Sequence, residues 1–164
     1  MGRGPVRVAA LALFAAAMGW LEAVVVVYIR AIVGIAHGSA MPTSQQVMAR
    51  FLAIPWLLPT EQGREAATMV MLATVAWLGA SRLRQRLGAF LMIFGIWDIA
   101  YYVGLRILVG WPTRLTEMDL LFLMPPHPWW YQPVWVPVGI SCVMIAAGAR
   151  LLASDRAGIA RRAS

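Results

Sequence analysis

AFLMIFGIWDIAYYVGLRILV, residues 89–109, decides how this chain is read. The run is long enough to cross a hydrocarbon core of about 30 Å as a single helix. Asp98 stands near its centre. An ionised carboxylate at that depth costs roughly 2.5–3.5 kcal/mol on insertion scales, so it is expected to face protein or water rather than lipid. Asp98 is therefore the first candidate for a functional group.

Composition agrees with a membrane reading. Of 164 residues, 61% are hydrophobic and only 13% charged, with a mean hydropathy of +0.71. Globular domains average about a quarter charged residues. Three or four spans use most of the length and leave no room for a separate water-soluble domain. The net charge of +7 comes from fourteen basic residues, all Arg. They are scattered between apolar segments rather than striped along one face, which speaks for membrane topology and against nucleic-acid binding. The one cysteine, Cys142, excludes an intrachain disulfide and a CxxC motif.

Four spans are expected, at about 8–29, 66–80, 89–109 and 134–152. The first begins after Arg3 and Arg7 with an Ala-rich run that resembles a signal peptide, but it continues through VVVVYI and reads as a retained helix. Residues 34–63 read as a long connection broken by Gly34, Gly38, Pro42, Pro55 and Pro59, holding a short interfacial helix that ends near Pro55. The second span is short. SRLRQR (81–86) reads as a basic turn, and Gly110, Trp111 and Pro112 as a helix stop. Residues 115–124 read as an interfacial or re-entrant piece ended by Pro125 and Pro126. Pro137 is tolerated in the first turn of the last span, or kinks it. The tryptophans around 111 and 129–135 are expected in an outer aromatic belt.

With four spans both termini share a side. That side collects Arg3, Arg7, Arg82, Arg84, Arg86, Arg150, Arg156, Arg161 and Arg162; the other holds Arg30, Arg50, Arg64, Arg106 and Arg114. The positive-inside rule makes the first side cytoplasmic. Asp155 lies with it, whereas Glu61, Glu65, Glu117 and Asp119 lie opposite, with Glu22 and Asp98 inside the spans.

Helical spacing gathers polar groups. Asp98, Tyr101, Tyr102 and Arg106 follow i, i+3, i+4, i+8, and Glu22 and Arg30 are i, i+8. Glu22 lies about 20 Å along its helix, in the outer third of the core. Glu65 and Thr68 open the second span. Three helices can thus direct acids, hydroxyls and guanidinium groups toward one outer-leaflet cavity, with Glu22, Arg64, Glu65, Asp98, Tyr101, Tyr102 and Arg106 as its ligand-binding residues. The spacing leaves a structural ion-pair lock equally open. His37 and His127 have no metal-ligand spacing, His127 reads as a loop histidine at the interface, and no phosphate loop, nucleophile elbow or cofactor motif occurs.

The segments GWLEAVVVVYIRAI (19–32), EQGREAATMVML (61–72), FGIWDIAYYVGLRILVGWP (94–112) and MDLLFLMPPHPW (118–129) resemble a group of small bacterial four-helix membrane proteins. The resemblance covers about two-thirds of the chain, with WDxxYY as its most distinctive block. It implies a bacterial inner-membrane protein whose Glu22, Arg64, Glu65, Asp98, Tyr101 and Tyr102 occupy recurring polar positions. It brings no activity with it, and PPHPWW departs from the pattern, so His127 takes no role from it.

The expected architecture is an all-α, four-helix transmembrane bundle in one domain, with interfacial or re-entrant outer loop segments. The leading function is binding or moving a polar or cationic ligand, or protons. The alternatives are an accessory subunit of a larger membrane complex and a membrane enzyme acting on a lipid-borne substrate. Expected partners are the bilayer and either other membrane subunits or a second copy, with no nucleic acid, metal or cofactor.

Overall fold

A computed structural model describes residues 3–125 and 127–160, with side chains over 5–125 and 127–153. Arg161 and Arg162 of the expected cytoplasmic tail lie outside the described residues, as do the side chains of Arg3, Asp155 and Arg156. The described chain forms five α-helices: α1 (Arg3–Ile32), α2 (Ser44–Leu52), α3 (Leu57–Leu78), α4 (Leu83–Val109) and α5 (Trp135–Ala160). Two short strands, β1 (Met118–Leu120) and β2 (Tyr131–Pro133), lie between α4 and α5. Three helices are long and apolar enough to cross a membrane: α1 over Pro5–Ile32, α4, and α5 over Trp135–Ala153. The expected second span falls in α3, which carries Glu61, Arg64 and Glu65 in its first half and is not among the three.

Helix α4 is central. It packs along α1 and α5 and, over a smaller area, against α3. Glycines let the backbones approach, as small residues do between membrane helices. A Cβ at Gly19 would lie 2.4 Å from the Trp97 carbonyl oxygen, and one at Gly95 2.6 Å from that of Ser141. One core cluster, built from Leu11, Leu72, Met92, Ile93 and Trp97, fills the half nearer the start of α1. At the other end, Val47 and Phe51 of α2 pack with Ile29, Leu57 and Leu123, while Trp111 packs with Tyr102, Leu105 and Val134. Large apolar side chains face outward along the helices, including Leu13, Val70, Trp77, Ile107 and Val143. Apolar surface on this scale suits a lipid environment better than water.

Several boundaries differ from the sequence reading. Helix α3 begins at Leu57 rather than Ala66, so residues 57–63 belong to it and not to the preceding connection. Pro59 falls at its third position, where the missing N–H costs nothing because the first-turn N–H groups have no helical partner. The basic segment is no turn from Leu83 on: Arg84, Gln85 and Arg86 are strong helix formers and start α4. Helix α1 also extends three residues beyond Ile29 and ends before Gly34, which has φ 71°. The stop at Gly110 is present: its φ of 71° is left-handed, and its N–H donates to the Arg106 carbonyl. The short helix ending before Pro55 is α2, opened by a capping box in which Thr43 and Gln46 each accept the other's backbone N–H.

The sequence reading left the conformation of residues 115–124 open. They hold strand β1, which pairs antiparallel with β2 in the register Met118↔Pro133, Asp119↔Gln132, Leu120↔Tyr131. Alternation explains the choice: Asp119 is buried while Met118 and Leu120 are only partly so, which is a strand pattern rather than a helical one. Prolines on both sides remove the room for a helix.

Candidate functional site

The site is assembled around Arg64. Its guanidinium ion-pairs with Glu22 of α1 and with Glu61 one turn earlier on α3, and its Nε donates to Glu61 at 2.6 Å. Glu65, one residue on, turns toward the β1–β2 hairpin, where both of its oxygens accept the Leu123 N–H at 2.9 and 3.0 Å. Beside it, Gln62 donates to the Leu123 carbonyl at 2.9 Å. Helix α3 is thereby fastened to α1 by charge and to the β1–β2 segment by side-chain hydrogen bonds to the Leu123 backbone.

Helix α4 contributes from the other side. The Asp98 carboxylate accepts the Ser141 hydroxyl of α5 at 2.8 Å. One turn outward, Tyr102 donates to Asp119 at 3.0 Å, and Asp119 also accepts the Leu120 N–H at 2.9 Å. Burial pushes the Asp119 carboxyl above its ordinary range, against the opposing pull of the Tyr102 hydrogen bond and the nearby Arg30. Glu117, two residues earlier, is partly exposed and behaves in the opposite way. Burial acts to raise it, but the Thr113 hydroxyl and the N–H groups of Thr113 and Arg114 hold it below the usual carboxylate range.

These groups surround a cavity of about 470 Å³. Five carboxyls line it, from Glu22, Glu61, Glu65, Asp98 and Asp119, against two guanidinium groups, from Arg30 and Arg64. Thr68, Tyr101, Tyr102 and Ser141 add hydroxyls. Of the seven residues expected from the sequence, Glu22, Arg64, Glu65, Asp98, Tyr101 and Tyr102 line this one cavity. Arg106 does not; it is exposed and donates to the Gly110 carbonyl at 2.6 Å. It stands in the last turn of α4, at the helix C-terminus, where its guanidinium reaches that free carbonyl instead of the cavity.

Sequence reasoning omitted Glu61, Asp119, Ser141 and Arg30 from the site. Glu61 carried a usable signal, since it lies i−3 from Arg64 on one helix face. Asp119 and Ser141 carried none, because their partners are 17 and 43 residues away along the chain. Arg30 is 3% exposed, stacks 4.9 Å from the centre of the Trp111 ring and donates to the Ser39 carbonyl at 2.6 Å. Trp111 is therefore wholly buried beneath a cation rather than facing outward as an interfacial belt requires, whereas Trp129 and Trp135 are exposed. His127 accepts the Trp129 N–H at 3.1 Å and caps a short 3-10 turn (Pro128–Trp130), outside the cavity lining. Among the described residues no cluster of three or more His, Cys, Asp or Glu has a metal-binding arrangement.

No protein family, curated protein or solved structure matches the chain.

Proposed function

We propose that this chain is a bacterial inner-membrane protein of four spans that binds, or helps move, a polar or cationic ligand in the cavity bounded by Glu22, Glu65, Asp98 and Tyr101. In this reading α3 is the fourth crossing, its acids and Arg64 turned toward the protein, and both termini are cytoplasmic. The resemblance to small bacterial four-helix membrane proteins belongs to the same proposal. The observation that carries it is the space itself. An ion-pair lock gains by close packing, and protein interiors leave few voids larger than a water molecule. Here about 470 Å³ stays open among five carboxyls. Glu22 and Asp98 supply negative charge, Tyr101 and Tyr102 hydrogen bonds, and Arg64 charge balance.

The test is native mass spectrometry of the full chain taken from its host in nanodiscs. A small molecule retained by the wild type and lost in a folded Asp98→Asn variant supports the reading. Equal retention by both, or none by either, counts against it. A second reading, an accessory subunit held together by its polar cluster, draws on the fact that each of the five carboxyls already has a hydrogen-bond or ion-pair partner. It expects a stoichiometric partner chain in the same spectrum, with Asp98→Asn lowering complex yield instead of ligand retention.

A further inference from the structure

The acids and hydroxyls of the cavity form a band with apolar lining on either side, Val47, Phe51 and Phe122 toward the hairpin and Phe90, Phe94 and Met144 away from it. On α4 the polar lining runs from Asp98 to Tyr101 and Tyr102, while Phe94 and Phe90 line it in the other direction. At 1.5 Å per residue those rings lie about 6 and 12 Å from Asp98 along the helix. Helices α3 and α5 run antiparallel to α4 and repeat the division. On α3, Glu61 and Glu65 come first and Met69 follows; on α5, Met144 lies one turn beyond Ser141 on the same apolar side. One chamber therefore carries a band of acids and hydroxyls and, past Phe94 and Met144, an apolar extension leading away from it.

The cavity is open sideways. Helices α3 and α5 both line the cavity, yet each packs on α4 and they hardly approach one another. Ile140, one residue before Ser141 and so at about the depth of Asp98, lines the cavity and is 55% exposed; the mouth lies there on the flank of α5, beside the polar band and one turn from Met144, among outward-facing apolar side chains such as Val143. In a bilayer this flank faces acyl chains rather than water.

We infer that the cavity takes an amphiphile: a molecule with a cationic or hydrogen-bond-donating head among Glu22, Glu65, Asp98 and Tyr101, and an alkyl chain lying past Phe94 and Met144 toward the gap between α3 and α5. This rests on the ligand-binding reading above and adds the ligand's chemical class and its route of entry. Five carboxyls against two guanidinium groups select a basic or donor head over an anionic one. The apolar half supplies affinity by burying the chain, about 0.8 kcal/mol per CH₂. A small polar solute would leave that half empty.

The experiment uses the full chain in phosphatidylcholine nanodiscs, challenged in turn with dodecylamine, dodecanoic acid and butylamine, with bound adducts counted by native mass spectrometry. One dodecylamine per chain is expected, retained at least about tenfold more than dodecanoic acid, with butylamine washed away. Ile140→Trp, placed at the mouth, should cut dodecylamine retention at least about fivefold. Val143→Trp adds the same bulk to the same helix outside the cavity lining and should leave retention unchanged. If butylamine is held as well as dodecylamine and Ile140→Trp has no effect, the polar site binds ligands but the amphiphile assignment falls. Equal retention of the acid and the amine overturns the assignment of the head. If the folded wild-type chain retains none of the three probes, the ligand-binding reading falls and takes this inference with it.

Discussion

Arg64 serves two acids from two helices, so its replacement strands both. Removing one member of a buried ion pair costs about 3–5 kcal/mol because the remaining charge is left unmatched. Arg64→Met should therefore lower unfolding free energy by about that amount, while the triple variant Glu22→Gln/Glu61→Gln/Arg64→Met recovers much of the loss; denaturant titration in detergent reads both. Asp119 gives a pH signature. Its carboxyl, surrounded by Tyr102 and Tyr101 of α4 and Arg30 of α1, is raised from an ordinary value of 3.8, so it holds its proton better folded than unfolded. That contribution is complete below 3.8 and is lost as pH rises from there through the folded value. Asp119→Asn should flatten this decline in thermal midpoint. Glu117, lowered from 4.5, works in reverse: its contribution is present above 4.5 and is lost as pH falls through its folded value, so Glu117→Gln should flatten the acid limb instead. Single residues were legible in the sequence where helical periodicity reports on them, as for Asp98, Tyr101 and Tyr102. Asp119 was not, because strand pairing and loop closure bring it to Tyr102, and neither leaves a periodic trace.

Contacts between elements depend on glycines that no polar pattern marks. The Asp98–Ser141 bond exists because Gly95, one turn before Asp98, lets the α5 backbone come close. Gly95→Val should force α4 and α5 apart, break that bond and cost about 1–3 kcal/mol through overpacking. Gly63→Ala, where nothing lies within 4 Å of the added Cβ, should instead be neutral or stabilise α3 by about 0.5–1 kcal/mol. Thermal unfolding of the two variants side by side checks the pair. The start of α3 was hidden for a related reason. Prolines at 55 and 59 read as breakers in one dimension, yet Pro59 sits in the single turn of a helix that accepts it. Strands β1 and β2 were hidden because their pairing joins residues on both sides of a proline-rich loop.

For the whole molecule, the three most apolar helices were legible from hydropathy alone, since that signal depends on neither partners nor register. The orientation proposed for them has its own test. In a Cys142→Ser background, because Cys142 is free and exposed, Thr116→Cys should react with an impermeant maleimide in intact cells. Arg84→Cys, at the opposite end of α4, should react only after permeabilisation. The reverse pattern would invert the topology. Labelling at both sites in intact cells would mean that α4 does not cross.

The spacing of partners along the chain also sets a timetable. Glu22 meets Arg64 across 42 residues, and Asp98 meets Ser141 across 43. At about 5–20 residues per second of synthesis, each acid leaves the ribosome some 2–9 seconds before its partner exists. The first helix is thus released with an unanswered carboxylate, and the fourth with another, until a later helix arrives. If the helices insert as proposed, biogenesis includes two intervals in which an incomplete chain carries a carboxyl group whose partner is not yet made, with the insertion machinery or water standing in for the missing neighbour. A chain stalled before residue 141 would be left permanently in the second interval.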